Sequence, residues 1–442
     1  MPSPKTAPQR GKALGLPELL AIALGGMIGG GIFTILGISV AMVGVYAPLA
    51  IALGGVIALL ASYSYVKLAL HYMDEGATYA FVKKSYPDEP FAASLIGWWV
   101  IFGYISTIAL YAYTFASYAI SSTAFAEDDT IRKLVALAVI GVFTLINLWS
   151  VKGMGRIEDM MVYTKVLILA VISAVLLANG QADLPSLINE SPGFTVLNLL
   201  IVASVTFVAF EGFQLVINAT NDMQDPKRNI PRAIYWAIAV AAAVYVIIAS
   251  GAILAIPFDD IIRNKEFALA AGARDTLGVW GNVLVIAGAL LATMSAISGT
   301  LFGASHQLAA IAEDGYMPAL LSHRSDGIPK RAILLMALSA GALVVAGSLR
   351  VILEFGSVTF LLVSFLMAVT NHRMRVKTGS NNALTVLAMA ALLGGTAFIL
   401  YYEALHAPEQ LTFILVIYAL LTTGAWLFSQ RLKKRRRAQK SA

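Results

Sequence analysis

Twelve stretches of roughly twenty apolar residues follow one another along this chain, joined by short polar segments: 16–43, 46–72, 91–122, 131–150, 156–179, 195–221, 231–256, 281–312, 329–348, 351–370, 382–401 and 410–430. A helix of that length and character crosses the hydrocarbon of a bilayer. With 59% of its 442 residues hydrophobic and 13% charged, the chain is expected to be an all-α integral membrane protein with twelve transmembrane helices. It has no cysteine, which removes disulfide and thiolate chemistry. Its five histidines, His71, His306, His323, His372 and His406, are scattered and show no metal-ligand spacing. No metal and no cofactor are expected, and a membrane enzyme would lack a convergent nucleophile and base. A channel would need a filter ring or a continuous polar pore, and neither is visible. The opening MPSPKTAPQRGK is basic, but no short apolar core with a cleavage site follows it, so it does not read as a signal peptide.

Lysine and arginine fix the expected orientation. With the N-terminus inside, the cytoplasmic joints and both tails carry 24 of the 31 basic residues, against six on the other face: Arg132, Lys133, Arg263, Lys265, Arg274 and Arg350. Such a bias predicts both termini in the cytoplasm, and a location in the cytoplasmic (inner) membrane. The net charge of +6 then reflects topology. The tail RLKKRRR, next to a membrane exit, reads as an anchor at anionic lipid headgroups rather than as a nucleic-acid contact. The remaining basic residue, Lys165, belongs to neither face. It follows Arg156 by nine residues in the run VYTKVLILAVI, about 13 Å into the bilayer at 1.5 Å per residue. An ionisable group at that depth is a functional candidate by default. It also has a purely structural reading, in which the ammonium tethers two helices through backbone carbonyls.

Two of the apolar stretches are interrupted. The first contains Gly25 to Phe33, GGMIGGGIF, with five glycines in seven positions. Glycine is a poor helix former, and unwound backbone inside a membrane survives only where protein buries it or it lines a wet cavity. The stretch therefore reads as two half-helices, Leu16 to Met27 and Gly31 to Val43. Gly29, Gly30 and Gly31 lie between them, and the positive end of the second half-helix faces the gap, a ready site for a carboxylate. The plainer reading is one glycine-rich helix packed closely on a neighbour. A second interruption, Phe210-Glu211-Gly212-Phe213, falls five helices later. Corresponding breaks in two five-helix halves are the signature of an inverted-repeat secondary transporter, whose substrate sits between the broken helices. Carbonyls released around Phe207, Val208 and Phe210 suit an ammonium, and the amides of the first break suit a carboxylate. A zwitterionic amino acid fits that pair. Ser295, Ser298 and Thr300 on the eighth stretch let it approach the first closely and offer oxygens there. Tyr104, Tyr111, Tyr113 and Tyr118 form a stripe on the third, read mainly as packing with part of it a candidate cavity lining. Residues 73–90 read as a short amphipathic or re-entrant piece, and 257–280 as an outside segment with a helix.

Four motifs together resemble the amino acid–polyamine–organocation transporters: GGMIGGGIF in the first helix, FVAFEGF followed by DPKRNIPRAI at the sixth, EGATYAFV after the second and AEDGYMP at the end of the eighth. The resemblance covers nearly the whole chain. It implies the leucine-transporter fold, a 5+5 inverted repeat with two further C-terminal helices, working by alternating access. In those terms residues 1–15 are a cytoplasmic tail and 16–370 the transport core, with repeats at about 16–180 and 195–370. Helices eleven and twelve occupy 371–430, and 431–442 is a basic tail. The resemblance also implies that Gly29, Gly30 and Gly31 meet the substrate carboxylate and that residues 207–211, with Phe207, Val208, Phe210 and Glu211 among them, surround its amine; Met27, Ile28 and Thr300 are further substrate-binding candidates. Lys165, with Ser295 and Ser298, falls where proton-linked, sodium-independent members carry a lysine in the place of a sodium ion. The expected partners are an amino acid, a proton and membrane lipid, with no nucleic acid and no obligatory protein. The chain departs from the family pattern in three places. Ser305-His306 replaces a common Ser-Arg, the usual bulky aromatic of the sixth-helix break corresponds to Phe207 or Phe210, and Glu211 stands where many members are neutral. That carboxylate favours a cationic amino acid or polyamine, or accepts a proton. A transporter-like amino acid sensor is the remaining alternative.

Overall fold

A computed structural model describes residues 14–74, 77–149, 154–180, 187–188, 194–264, 267–325 and 327–441. The expected N-terminal tail lies, up to residue 13, outside the described residues. The fold is helical throughout; the only β pairings among the described residues are two isolated bridges. The first stretch divides as its glycines predict, into α1 (Leu16–Met27) and α2 (Gly31–Val43). α3 (Ala47–Tyr72), a short α4 (Ala77–Ser85), α5 (Pro90–Ile120), α6 (Asp129–Trp149) and α7 (Met154–Ala178) follow. α4 is the amphipathic piece expected between residues 73 and 90.

The sixth stretch begins as α8 (Val196–Thr206), whose first turn is capped by the Thr195 hydroxyl accepting from the Asn198 amide at 3.1 Å. It does not resume as an α-helix after its break. Phe207–Phe210 form a 3₁₀ turn, Glu211 is extended, Gly212 sits at φ +121°, and Phe213–Ala219 continue in 3₁₀ geometry. α9 (Pro226–Ala255) opens with proline at its first position, where no backbone N–H is needed. The segment expected outside supplies α10 (Phe258–Arg263) and the start of α11 (Ala268–Glu313), which kinks at Gly278, φ +69°. α12 (Lys330–Ala346), α13 (Leu349–Arg373), α14 (Asn382–His406) and α15 (Pro408–Ser441) complete the bundle.

Ten helical runs among the described residues are long and apolar enough to cross a membrane. The run 31–72 joins α2 to α3 through the turn Gly44–Tyr46, and the shorter apolar α1 precedes it. α12, at 17 residues, falls just short of a full span. The protein is a multi-pass membrane protein. Its outward faces explain the many exposed apolar side chains, Leu145, Trp149, Leu338 and Leu420 among them; these are faces for lipid.

The two breaks lie against each other at the centre. A Cβ on Gly212 would meet the Gly26 carbonyl carbon at 2.5 Å, and one on Gly31 would meet the Ala209 Cβ at 2.9 Å. Only glycine lets two backbones approach so closely.

Candidate functional site

The site is built around the crossing of the breaks. α1 stops at Met27 because Ile28 leaves helical geometry, with φ −82° and ψ 78°. The Gly29 N–H turns back to the Met27 carbonyl at 2.9 Å. Tyr245 of α9 reaches into the crossing, its hydroxyl 2.8 Å from the Met27 carbonyl and 3.1 Å from that of Ala209. One phenol thus serves carbonyls freed by both breaks. Tyr111 of α5 donates to the Gly26 carbonyl at 3.2 Å. Orphan backbone groups inside a membrane protein must find such partners.

Lys165 lies wholly buried on α7. Its ammonium donates to the Gly25 carbonyl at 2.9 Å and to the Ser295 hydroxyl at 3.0 Å. The lysine therefore ties α7 to the last turn of α1 and to α11. Ser298 is buried one turn further along the same helix. The Ser295 hydroxyl donates to the Ala292 carbonyl at 3.0 Å, so its oxygen is left to accept from Lys165.

Two adjoining cavities meet at the breaks and share Gly26, Leu215, Asn218, Thr300 and Gly303 in their linings. The inner one adds Tyr104, Thr107, Tyr111, Glu211, Gly212, Gln307 and Phe360. The other runs along α1 past Gly25, Ile22 and Ala21 to the exposed Glu18, with Val162, Ser295 and Ala296 opposite. Among the described residues this cavity therefore reaches the surface at the start of α1. On the other side of the breaks α2 is closed against α5. Thr34 and Thr114 share a hydroxyl hydrogen bond of 2.7 Å, and Tyr118 donates to the Phe33 carbonyl at 3.3 Å.

Glu211 is 3% exposed and holds one carboxylate oxygen toward Gln214, whose amide donates to it at 2.7 Å. Gln214 in turn accepts from the Gly212 N–H at 3.1 Å, fixing the turn. The other carboxylate oxygen, Oε1, has no hydrogen-bond partner among the described residues. A buried acceptor left open in this way is held ready for a donor, since leaving it unpaired is unfavourable.

Among the residues singled out in the sequence, Glu211, Thr300 and Ser295 line these cavities. Met27, Ile28, Gly29, Gly30, Gly31, Phe207, Val208 and Phe210 are buried at the crossing and do not appear in either lining. In this arrangement Gly29 faces the Tyr111 ring and Ala296, Gly30 faces Thr114 and Thr293, and the Val208 carbonyl accepts from the Glu211 N–H at 3.2 Å. The structure adds Tyr245, Gln214, Asn218, Gln307 and Phe360. Tyr104 and Tyr111 of the tyrosine stripe turn toward the cavity, while Tyr113 donates to Asp129 at 2.6 Å. Asn218 and Gln214 had a signal, as amides inside an apolar stretch. Tyr245 and Phe360 had none.

The family model described as Amino acid permease matches residues 14–421. An uncharacterized protein of Methanocaldococcus jannaschii is 26% identical over 89% of this chain and 90% of its own length. The inner membrane transport protein YbaT of Escherichia coli is 29% identical over 70% of this chain and 72% of its own. The large neutral amino acids transporter small subunit 2 of Oryctolagus cuniculus is 26% identical, over 78% of this chain and 66% of its own.

Proposed function

This chain belongs to the amino acid permeases of the amino acid–polyamine–organocation superfamily, and on that premise we propose that it carries amino acids across the cytoplasmic membrane by alternating access, independently of sodium and linked to protons. The reading assigns twelve spans in a 5+5 inverted repeat plus α14 and α15, with both termini cytoplasmic. The cavity that opens along the start of α1 then faces the cytoplasm, and the closed contact of α2 with α5 faces outside. Both features suit an inward-open carrier. The substrate's ammonium and carboxylate lie between the two breaks, near Gly29 to Gly31 and residues 207–211, once the flanking helices rearrange around them.

One observation carries the coupling. The Lys165 ammonium ties α7, α1 and α11 together at the break itself, through Gly25 and Ser295. A bound cation would make the same ties, and a fixed ammonium makes a sodium ion redundant. Protonated, Lys165 holds these three helices together; neutral, it frees them, so the proton biases one of two arrangements. Uptake into proteoliposomes, with and without sodium and with and without a pH gradient, tests this and separates carriage from sensing. Uptake that requires sodium overturns the coupling reading.

A relative named as a large neutral amino acids transporter supports neutral substrates. The open carboxylate oxygen of Glu211 supports a second reading, in which the substrate is a cationic amino acid or polyamine. A charge-assisted hydrogen bond contributes about 1.5–3 kcal/mol, or about ten- to hundredfold in affinity. Glu211→Gln is therefore expected to weaken arginine, lysine or putrescine by that factor and a neutral amino acid by far less, measured by competition for uptake. Equal losses for both classes, or for neither, would take the side chain out of selectivity.

A further inference from the structure

Away from the crossing, a second set of charges is buried where α13, α14 and α15 meet. Arg350, in the first turn of α13, donates through Nε to Glu354 Oε1 at 2.7 Å. Its Nη2 stands 3.6 Å from Glu403 Oε1, near the end of α14, too far for a hydrogen bond. The Glu354 and Glu403 side chains are 6% and 0% exposed, while that of Arg350 is 38% exposed. With its amide nitrogen turned to the carboxylates, Gln410 of α15 donates to Glu354 Oε2 at 3.3 Å and to Glu403 Oε2 at 3.1 Å. The Arg350 guanidinium covers the Tyr402 ring at 4.9 Å.

The charges do not balance. Two buried carboxylates converge on one guanidinium and one amide, and Glu403 Oε1 has no hydrogen-bond partner among the described residues. Two carboxylates that share a site out of water do not both ionise readily. We propose that Glu354 and Glu403 hold one proton between them, and that this shared proton fastens α14 and α15 to the start of α13. The protonated carboxyl donates toward the other, so the site carries one negative charge against Arg350. When the proton leaves, two carboxylates face each other across the Gln410 amide and the joint loosens.

Among the described residues no other group close by supplies that charge. Tyr402 and the exposed His406 lie on α14, and the exposed Glu409 opens α15. His406 Nδ1 is turned to the Tyr402 carbonyl at 3.1 Å, and Tyr418 of α15 donates to Thr359 at 2.8 Å. α5, which meets this part of α13 through Ser106 donating to the Ile352 carbonyl at 2.8 Å, carries no charged side chain, and neither does α8. The charged groups of α3, α4 and α12 (Lys67, His71, Lys83, Lys84, Lys330 and Arg331) belong to the other end of the bundle, where Lys67 donates to the Gly379 carbonyl at 3.0 Å. Among the described residues no group of three or more acidic, histidine or cysteine side chains is arranged to hold a metal. The neighbouring guanidinium also disfavours a second bound cation in place of the proton.

The test uses the purified full-length protein in lipid nanodiscs. Infrared difference spectra between wild type and Glu403→Gln, at neutral pH, should show the carbonyl stretch of a protonated carboxyl group in the wild type and its loss in the variant. Glu211 is present in both and cancels. Thermal unfolding followed from mildly acid to mildly alkaline pH should place the wild-type midpoint lower by about 2 °C or more at the alkaline end, because the stabilising proton is bound at low pH and lost as pH rises. Glu403→Gln, whose side chain does not titrate, should make that slope smaller than in the wild type; any part that Lys165 contributes is common to both proteins. Glu354→Gln gives the same two readings should the first variant fail to fold. Persistence of the carboxyl band and of an undiminished pH slope in the variants, or a flat wild-type profile, overturns the proposal.

Discussion

Lys165→Ala is expected to lower uptake by at least about tenfold and to leave what remains insensitive to pH. The ammonium is fully buried and makes at least two bonds, to the Gly25 carbonyl and to Ser295. A hydrogen bond to a charged group contributes about 1.5–3 kcal/mol. A shift of about 1.4 kcal/mol in a two-state balance already changes the populations tenfold. Alanine removes the donor from a carbonyl in the last turn of α1, beside the break, and leaves an empty space between α1, α7 and α11. The measurement is initial uptake across a pH series, for wild type and variant, with sodium present and absent. A lysine that serves only as a tether predicts a different pattern, with activity reduced and the pH profile unchanged. Lys165→Arg is informative as a control. Its charge is permanent at any working pH, so if it folds it should retain the tie and lose the pH response. A strict requirement for sodium in the wild type would defeat the assignment, because ion and ammonium would compete for one place.

What could be read from the sequence, and what could not, follows from how far apart the interacting residues lie. The ends of α1 and α2 at Met27 and Gly31 were legible because glycine acts locally, on its own backbone. Lys165 was legible because an isolated charge in an apolar run must be answered by something. Its contact with Ser295 was anticipated only through the family resemblance, which sets Lys165 beside Ser295 and Ser298. The second half of the sixth stretch was not legible in its geometry. Its polar residues announced a break, but nothing local distinguishes 3₁₀ from α over Phe213–Ala219. Tyr245 was invisible for another reason: a tyrosine in an apolar helix looks like packing, and only the meeting of Met27 and Ala209 gives its hydroxyl a task. The same holds for Glu354 and Glu403, which are 49 residues apart and become one site only because α13 and α14 pack side by side. Glu211 stood out in the sequence, yet its open oxygen appears only once Gln214 has claimed the other.

Gly212→Ala should be severely damaging for so small a substitution. Two independent effects meet at this residue. Its φ of +121° lies where L-residues rarely go, and holding a side chain there costs about 1–3 kcal/mol. The new Cβ would also fall 2.5 Å from the Gly26 carbonyl carbon and 2.7 Å from the Met27 nitrogen. Both atoms are backbone and cannot swing aside as a flexible side chain would. Relief requires moving α1 away from Phe213–Ala219, which in turn pulls the Gly25 carbonyl from Lys165 and the Met27 carbonyl from Tyr245. The expected result is a loss of folded protein, or a midpoint of thermal unfolding lowered by at least several degrees, with uptake abolished. Gly141→Ala on α6 is the matched control. That glycine is exposed and a Cβ there meets nothing within 4 Å. Replacing a helical glycine by alanine should then be neutral or stabilise by up to about 1 kcal/mol. Size-exclusion profiles, unfolding midpoints and uptake for the two variants decide the matter. A Gly212→Ala protein that folds and transports like wild type would mean that the two backbones do not cross at Gly26 and Gly212, and that the cavity beside Glu211 is shaped by something else.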